Sequence, residues 1–295
     1  MTTENNDARA AQLTPYIVIL GTAQDGGYPQ AGCNKECCKE AWKNPALRRR
    51  VTSIAIIDPM TKERWLIDIT PDFKEQFHIL EELSPALDKN ILSGIFLTHG
   101  HVGHYTGLIN LGREAMNTID TDIYAMPMMF EFLSCNNPWK QLILNKNIRL
   151  NSLSEDSTVP LTEDVSISPL EVPHRGELTE TVGYKIVGPN KTILFIPDID
   201  YWNEKILSLI DQSDIAIVDG TFFNKDGLPE RNIDEIPHPL MVESMQVFKN
   251  LSTKNKIYFT HFNHTNPVLS PESVESKTVL ENGFLIAQEK QIIEL

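Results

Sequence analysis

No stretch of this sequence is long and apolar enough to cross a membrane. A membrane-spanning helix needs about 20 consecutive apolar residues, and the apolar runs here stop well short of that length. Residues 1–11 are polar and contain no apolar core of the kind found in a secretory signal. We therefore expect a cytoplasmic protein without a membrane partner, although an exported protein whose leader had been removed would look the same.

Basic residues are scarce. The 295 residues include 26 Lys and Arg against 40 Asp and Glu, which gives a net charge of −14. A face that binds nucleic acid needs clustered Lys and Arg to contact phosphates. The basic cluster here, residues 48–50, is too short for that purpose. We interpret it as a solvated turn and expect no nucleic-acid partner.

Cysteine is also rare, and its distribution is uneven. Of the four cysteines, Cys33, Cys37 and Cys38 (the cysteine cluster) lie within six residues, and Cys135 is remote from them. A disulfide framework would spread its cysteines more evenly. Clustered thiols in a reducing compartment indicate metal binding more than cross-links.

Strand and helix patterns alternate along the whole chain. Apolar runs predict strands at residues 16–20, 51–58, 64–69, 95–97, 122–125, 165–170, 181–187, 192–196, 215–218 and 256–260. Helical spacing predicts helices at 72–83, 107–116, 127–134, 202–209 and 240–251, whereas 136–156 is mostly polar and irregular. No linker of low complexity divides the chain. We expect a flexible N-terminus over 1–14 and a single α/β domain over 15–295, with two packed β-sheets and helices outside.

Three of the eight histidines fall within six residues. His99, His101 and His104 follow the predicted buried strand 95–97. A loop at a strand end can direct several imidazoles at one point, and imidazole is the commonest neutral metal ligand. A solvated surface turn has no use for so many imidazoles. The pattern predicts a metal site.

Other polar side chains also stand at the ends of predicted strands. Asp68, His174, Asp198 and His261 each occupy such a position. Taken singly, each is more typical of a hydrogen-bonded loop residue. Together they indicate one site, because polar groups at corresponding strand ends can converge on one edge of a sheet core.

The glycine-rich segment 21–27 follows the first predicted strand. It has neither the Gly-Lys-Ser/Thr of a P-loop nor the spacing of a dinucleotide-binding turn. We interpret it as a tight loop near the mouth of the site and not as a phosphate cradle.

The strand-end residues resemble, in order and placement, the five successive motifs of the metallo-β-lactamase superfamily along nearly the whole chain. The matching positions are Asp68, Thr98–His104, His174, Asp198 and His261. Segments 20–30, 219–223 and 261–267 are similar to those of a group within it, pyrroloquinoline quinone biosynthesis protein B and its relatives. The resemblance implies a four-layer αβ/βα sandwich with a metal site at one edge, between the two sheets.

The same resemblance implies a role for each motif residue. His99, His101 and His174 would bind a first metal ion. His104, Asp198 and His261 would bind a second, with Asp198 bridging the two ions. Asp68 would tie loops together by accepting backbone hydrogen bonds.

One position departs from the superfamily pattern. Members usually have an aspartate two residues after the second motif histidine, and this chain has Gly103 there. Because glycine has no side chain to act as a ligand, the second metal position is expected to be weak or empty. His264 could fill the gap. Binding of one ion or of two is left open.

His238 lies between the fourth and fifth motifs. Related members use a histidine near this place to protonate the leaving group. We hypothesise that His238 is such an acid, with a surface loop histidine as the alternative.

The cysteine cluster resembles a structural zinc site found in the same loop of some relatives, where the pattern is usually Cys-x-Cys-x-x-Cys. Here Cys33 and Cys38 keep the outer spacing, Lys35 stands at the middle position, and Cys37 offers a substitute thiolate. A tetrahedral zinc site would need a fourth ligand from elsewhere in the chain. Ordinary reduced thiols are the alternative.

Histidines with one carboxylate leave an open coordination position, at which Zn²⁺ lowers the pKa of water to about 7. This donor set predicts a metal-dependent hydrolase of a small-molecule or peptide-like substrate. The resemblance implies Asp198 and His238 as its catalytic residues and a link to pyrroloquinoline quinone biosynthesis. Non-haem iron also suits His and Asp ligands. The resemblance to the quinone-biosynthesis group therefore adds two alternatives, an Fe²⁺-dependent oxygenase in quinone-cofactor maturation and a non-catalytic cofactor carrier. The sequence indicates neither the substrate nor the oligomeric state.

Overall fold

The computed structural model describes residues 14–84, 92–227, 238–252 and 256–295. The strands are β1 Tyr16–Gly21, β2 Ser53–Asp58, β3 Glu63–Ile67, β4 Gly94–Phe96, β5 Thr121–Ala125, β6 Ile148–Ser152, β7 Val159–Pro160, β8 Ser166–Glu171, β9 Val182–Val187, β10 Thr192–Ile196, β11 Ile215–Asp219, β12 Ile257–Thr260, β13 Leu285–Ile286 and β14 Ile292–Glu294. The helices are α1 Glu36–Lys43, α2 Phe73–Leu83, α3 Val102–Tyr105, α4 Pro127–Cys135, α5 Trp139–Leu144, α6 Glu204–Gln212, α7 Met241–Phe248 and α8 Val274–Glu281. The N-terminus predicted to be flexible lies, except for Thr14, outside the described residues, and the single domain over 15–295 stays a prediction.

Within the described ranges the strands form two sheets of seven, in the orders β14-β1-β2-β3-β4-β5-β6 and β13-β12-β11-β10-β9-β8-β7. The strands from β3 to β6 are parallel, as are those from β10 to β13. The remaining pairs are antiparallel. Apart from β14, which joins the first sheet from the C-terminal end of the chain, each half of the chain therefore supplies one mixed sheet.

Both faces of each sheet are buried, which explains why many strands read as continuous apolar runs. In β1, Ile17 and Ile19 pack against the other sheet, whereas Val18 and Leu20 pack against the helices that include α2. A third apolar cluster joins the second sheet to α6, α7 and α8. The layers are helices, sheet, sheet and helices, and the predicted αβ/βα sandwich is confirmed.

Two predictions of local structure were wrong. In place of a helix over 107–116, the chain forms the short helix α3 and a 3₁₀ segment, Thr106–Leu111. Gly107 lies so close to the backbone of another loop that an added Cβ would be 2.3 Å from the Thr70 carbonyl oxygen. The polar region 136–156 contains α5 and β6, and α5 is anchored by one buried side chain, Leu142.

None of the helices in the described ranges has the length and apolar content that a bilayer span requires.

Candidate metal centre

Three imidazoles meet where β4 and β8 end. His99 Nε2 lies 2.8 Å from His101 Nδ1, and His101 Nδ1 lies 3.5 Å from His174 Nε2. The side chains of His99 and His174 are each 1% exposed. The structure thus brings together the three residues predicted to bind a first metal ion.

The hydrogen bonds of the ring nitrogens decide which nitrogen is free to bind a metal. Four rings are bonded through Nδ1: His99 to Thr98 Oγ1 (2.9 Å), His104 to Asp68 Oδ2 (2.7 Å), His174 to Asp200 Oδ1 (2.8 Å) and His261 to Thr221 Oγ1 (2.9 Å). A carboxylate can only accept, so it assigns the proton to Nδ1 of its histidine. With that proton on Nδ1, the lone pair of Nε2 is available to a metal ion.

The two threonines lead to the same assignment. Thr98 Oγ1 lies 2.9 Å from Asp68 Oδ2, and Thr221 Oγ1 lies 2.7 Å from Asp219 Oδ1. A hydroxyl has one proton and donates it to the carboxylate, so it accepts a hydrogen bond from the histidine. Asp200, Asp219 and Thr221 were not predicted from the sequence. The available signals were the position of Asp219 directly after the predicted strand 215–218 and the resemblance noted for segment 219–223, which contains Asp219 and Thr221.

Beside the three imidazoles of His99, His101 and His174, four buried polar atoms have no hydrogen-bond partner among the described residues. They are His104 Nε2, His261 Nε2, Asp198 Oδ2 and Asp25 Oδ1. Asp198 Oδ2 lies 3.1 Å from each of the two nitrogens, and Asp25 Oδ1 lies 3.2 Å from His104 Nε2. Buried polar atoms without partners are costly. A cation among these atoms would satisfy all of them, so the donor set fits a metal ion.

Asp198 lies between the group of His99, His101 and His174 and the pair of His104 and His261. Its Oδ1 is 3.6 Å from His174 Nε2, and its Oδ2 faces His104 and His261. The side chain is 3% exposed. This placement is compatible with the predicted bridging role, which stays a prediction.

Burial disfavours charge at this centre, and neighbouring charges decide which groups keep theirs. Burial, followed by His104, lowers the pKa of His99 well below its usual value. Burial opposes the imidazolium of His104, but nearby carboxylates, led by Asp68, raise the pKa of His104 well above its usual value. Burial acts to raise the pKa of Asp198, yet histidines led by His261 hold it well below the usual range. Asp198 is thus ionised at neutral pH, as a carboxylate metal ligand must be.

Residues 63–262 match the beta-lactamase superfamily domain, and structural neighbours include a metallo-β-lactamase fold protein of Bacillus subtilis. The chain belongs to the metallo-β-lactamase superfamily. The group of His99, His101, His104, His174, Asp198 and His261 (the histidine centre) lies at the positions of the superfamily motifs noted in the sequence.

Three known proteins are similar to this chain over nearly its full length. Coenzyme PQQ synthesis protein B of Methylorubrum extorquens is 25% identical to this chain, with 95% of the chain and 100% of that protein covered. The structure of Zn²⁺-bound PqqB from Methylobacterium extorquens is 23% identical with a TM-score of 0.81, covering 95% of this chain and 100% of that chain. A diphosphatase from the PhnP family is 22% identical with a TM-score of 0.70, covering 95% and 97%. At these identities, the structural likeness establishes the fold.

Within this superfamily fold, Asp68 accepts hydrogen bonds from the backbone N–H and the hydroxyl of Thr98. Asp68 and His261 both have left-handed backbones, with φ of 64° and 62°. Such conformations cost about 1–3 kcal/mol and are concentrated at functional sites. These bonds tie Asp68 to the start of the loop of His99 and His104, and its predicted structural role stays a prediction.

His238 lies beside the histidine centre. Its Nδ1 is 2.7 Å from Asp219 Oδ2 and 3.8 Å from Asp198 Oδ1. Burial opposes its protonation, but Asp219, followed by Asp198, raises the pKa of His238 to about 9. The ring also lines a cavity of about 350 Å³ together with Asp200 and Trp202. His238 is therefore not a surface loop histidine, and its predicted role as an acid stays a prediction.

The suggestion that His264 fills the gap in the histidine centre was wrong. His264 Nδ1 lies 3.4 Å from Cys38 Sγ and 3.6 Å from Cys37 Sγ, and the Sγ atoms of Cys33 and Cys37 are 3.7 Å apart. The four donor atoms lie within 4.8 Å of one another. A tetrahedral site with Zn–S bonds of about 2.3 Å separates its donors by roughly 3.5–3.8 Å. His264 thus stands where the fourth ligand of a structural zinc is needed.

Proposed function

We propose that this chain is a zinc-dependent hydrolase that acts on a small-molecule or peptide-like substrate. The observation that carries the proposal is the convergence of imidazole nitrogens and carboxylate oxygens whose buried lone pairs have no partner among the described residues. Superfamily membership supports hydrolysis, since structural neighbours include a diphosphatase and human tRNase Z.

The histidine centre would hold the catalytic metal. His99, His101 and His174 would bind one ion, and His104, Asp198 and His261 would bind another. Zn²⁺ in such a site supplies water with a pKa of about 7 and polarises the bond to be cleaved. The cysteine cluster and His264 would hold a separate structural zinc.

The chain's own side chains orient the reactants. Asp198 holds the two halves of the histidine centre together with its two oxygens. Asp219 fixes Nδ1 of His238, which leaves the other side of that ring to donate a proton to a leaving group. His238 is thus proposed as the acid of the reaction.

The nature of the substrate is inferred from the cavity and the charge. A cavity of about 350 Å³ next to His238 is at the small end of the range for ligand pockets. The net charge of −14 disfavours nucleic acid. The similarity to coenzyme PQQ synthesis protein B supports a link to pyrroloquinoline quinone biosynthesis. A cytoplasmic location, as expected from the sequence, is part of the proposal.

Anaerobic reconstitution of the metal-free protein with Zn²⁺ or with Fe²⁺ tests the proposal. We expect zinc-dependent hydrolysis within a panel of ester, amide and phosphodiester substrates. His101→Ala should abolish that hydrolysis, whereas His78→Ala, at an exposed histidine of α2, should not. Iron-dependent O₂ uptake with quinone-precursor substrates would favour the oxygenase. Tight binding of a finished cofactor without turnover would favour a carrier.

A further inference from the structure

We propose that Asp25, in the loop after β1, supplies the carboxylate that the second metal position lacks because the motif has Gly103 in place of aspartate. The inference rests on the metal centre of the proposed function. It makes the glycine-rich segment 21–27 part of that centre and removes the reason to expect an empty second position.

Asp25 occupies the space into which the missing side chain would extend. A Cβ added to Gly103 would lie 2.2 Å from Asp25 Oδ1 and 2.7 Å from Asp25 Cα. Real atoms do not approach so closely, so any side chain at position 103 would displace Asp25. The Asp25 carboxylate can therefore occupy this space only because residue 103 has no side chain.

The carboxylate of Asp25 is directed at the donors of the second position. Asp25 Oδ1 lies 3.2 Å from His104 Nε2, and donor atoms of Asp25, His104 and His261 lie within 4.8 Å of one another. This oxygen is buried without a hydrogen-bond partner in the described part of the chain. With Asp198, the set provides two imidazole nitrogens and two carboxylate oxygens, which suits Zn²⁺.

The loop of Asp25 is held against the loop of His261. The N–H of Gln24 donates to Phe262 O at 2.9 Å, and the N–H of Phe262 donates to Thr22 O at 2.8 Å. The residue before Asp25 is thus bonded to the residue after His261. Because these backbone bonds fix both loops together, Asp25 is positioned before any ion binds.

The test is the zinc content and zinc affinity of Asp25→Asn after reconstitution and dialysis. Asparagine keeps the size of the side chain but removes its charge. We expect one ion per chain fewer than in the wild type, or an affinity at the second position lower by at least about tenfold, which is what loss of even an indirect partner costs. Asp72→Asn is the matched control, since Asp72 bonds the N–H of Val51 near the same loop and belongs to none of the donor groups.

Gly103→Ala tests the steric part independently, because it adds a methyl group and removes no ligand. We expect the same loss of zinc as in Asp25→Asn, with a circular dichroism spectrum like that of the wild type. Wild-type zinc content and affinity in either variant would overturn the inference. A wild type that binds no zinc beyond the cysteine cluster would refute the proposed function itself, so the two failures can be told apart.

Discussion

At the scale of single residues, the groups bonded to Nδ1 of four of the five imidazoles orient the histidine centre. Asp68 and Asp219 each bond a threonine hydroxyl, and that hydroxyl in turn fixes a histidine. Asp200 bonds His174 directly. Such partners fix the tautomer and the ring orientation of metal-binding histidines. They therefore support the histidine centre although none of them is expected to bind an ion.

Replacement of Asp200 by asparagine should weaken zinc binding at the first position by about 10–100-fold, because His174 loses a charged acceptor for its Nδ1–H. The Asp200 side chain is 32% exposed, so the fold should tolerate the change. Competition with a chelating dye measures the affinity. Asp122→Asn, which removes an ion pair with Arg149 on the outer strands, is the control. Equal affinity in Asp200→Asn and the wild type would contradict this account of His174.

Replacement of His238 by alanine should lower turnover by about 10²–10⁴-fold, the usual contribution of a general acid, and should leave the zinc content unchanged. Steady-state kinetics and elemental analysis on the same sample separate the two effects. His78→Ala serves as the histidine control, since His78 is exposed on α2. An unchanged turnover in His238→Ala would exclude a role as the acid.

At the scale of elements, strands were easier to predict than the segments between them. The runs of β1 and β10 are almost entirely apolar because both faces of their sheets are buried. The helix α6 begins near its predicted start and is capped by Asn203, whose side chain accepts a hydrogen bond from the N–H of Ile206. The helix α1 was missed because only two of its residues, Cys38 and Ala41, are buried.

The motif residues of the histidine centre could be predicted because each follows a strand in the order of a known superfamily. Asp25 and His264 could not be assigned in this way. Asp25 lies in a loop near the start of the chain. His264 contacts Cys38, which precedes it by 226 residues. Contacts between such distant loops depend on tertiary packing, which spacing in the sequence does not encode.

Replacement of Cys33 by serine should remove one zinc ion per chain and should loosen α1, because structural zinc sites contribute directly to folding. Elemental analysis counts the zinc, and hydrogen exchange in 33–43 follows the helix. His264→Ala should give the same loss. Cys135→Ser, at an exposed free thiol, should change neither quantity. Full zinc content in Cys33→Ser would refute the structural site.

At the scale of the whole molecule, the histidine centre joins the two halves of the sandwich. The loop after β4 in the first sheet carries His99 and His104, and Asp198 and His261 follow β10 and β12 in the second sheet. An ion bound by residues of both halves stabilises the folded state in preference to the unfolded chain. Metal binding should therefore be coupled to the stability of the whole fold.

Removal of metal should accordingly lower the melting temperature. Free zinc at about 1,000 times its Kd stabilises a folded protein by about 4 kcal/mol, which calorimetry with and without a chelator can detect. A Cys33→Ser background isolates the contribution of the histidine centre. In that background, His101→Ala should abolish most of the increase in melting temperature that zinc produces. A melting temperature that does not respond to zinc would contradict the coupling.

The most direct measurement is anomalous diffraction at the zinc absorption edge from crystals of the zinc-reconstituted protein. We predict one peak among His99 Nε2, His101 Nδ1 and His174 Nε2, and another beside His104, Asp198 and His261. The absence of anomalous density at both positions, in crystals that show zinc at the cysteine cluster, would contradict the account of this protein as a zinc-dependent hydrolase.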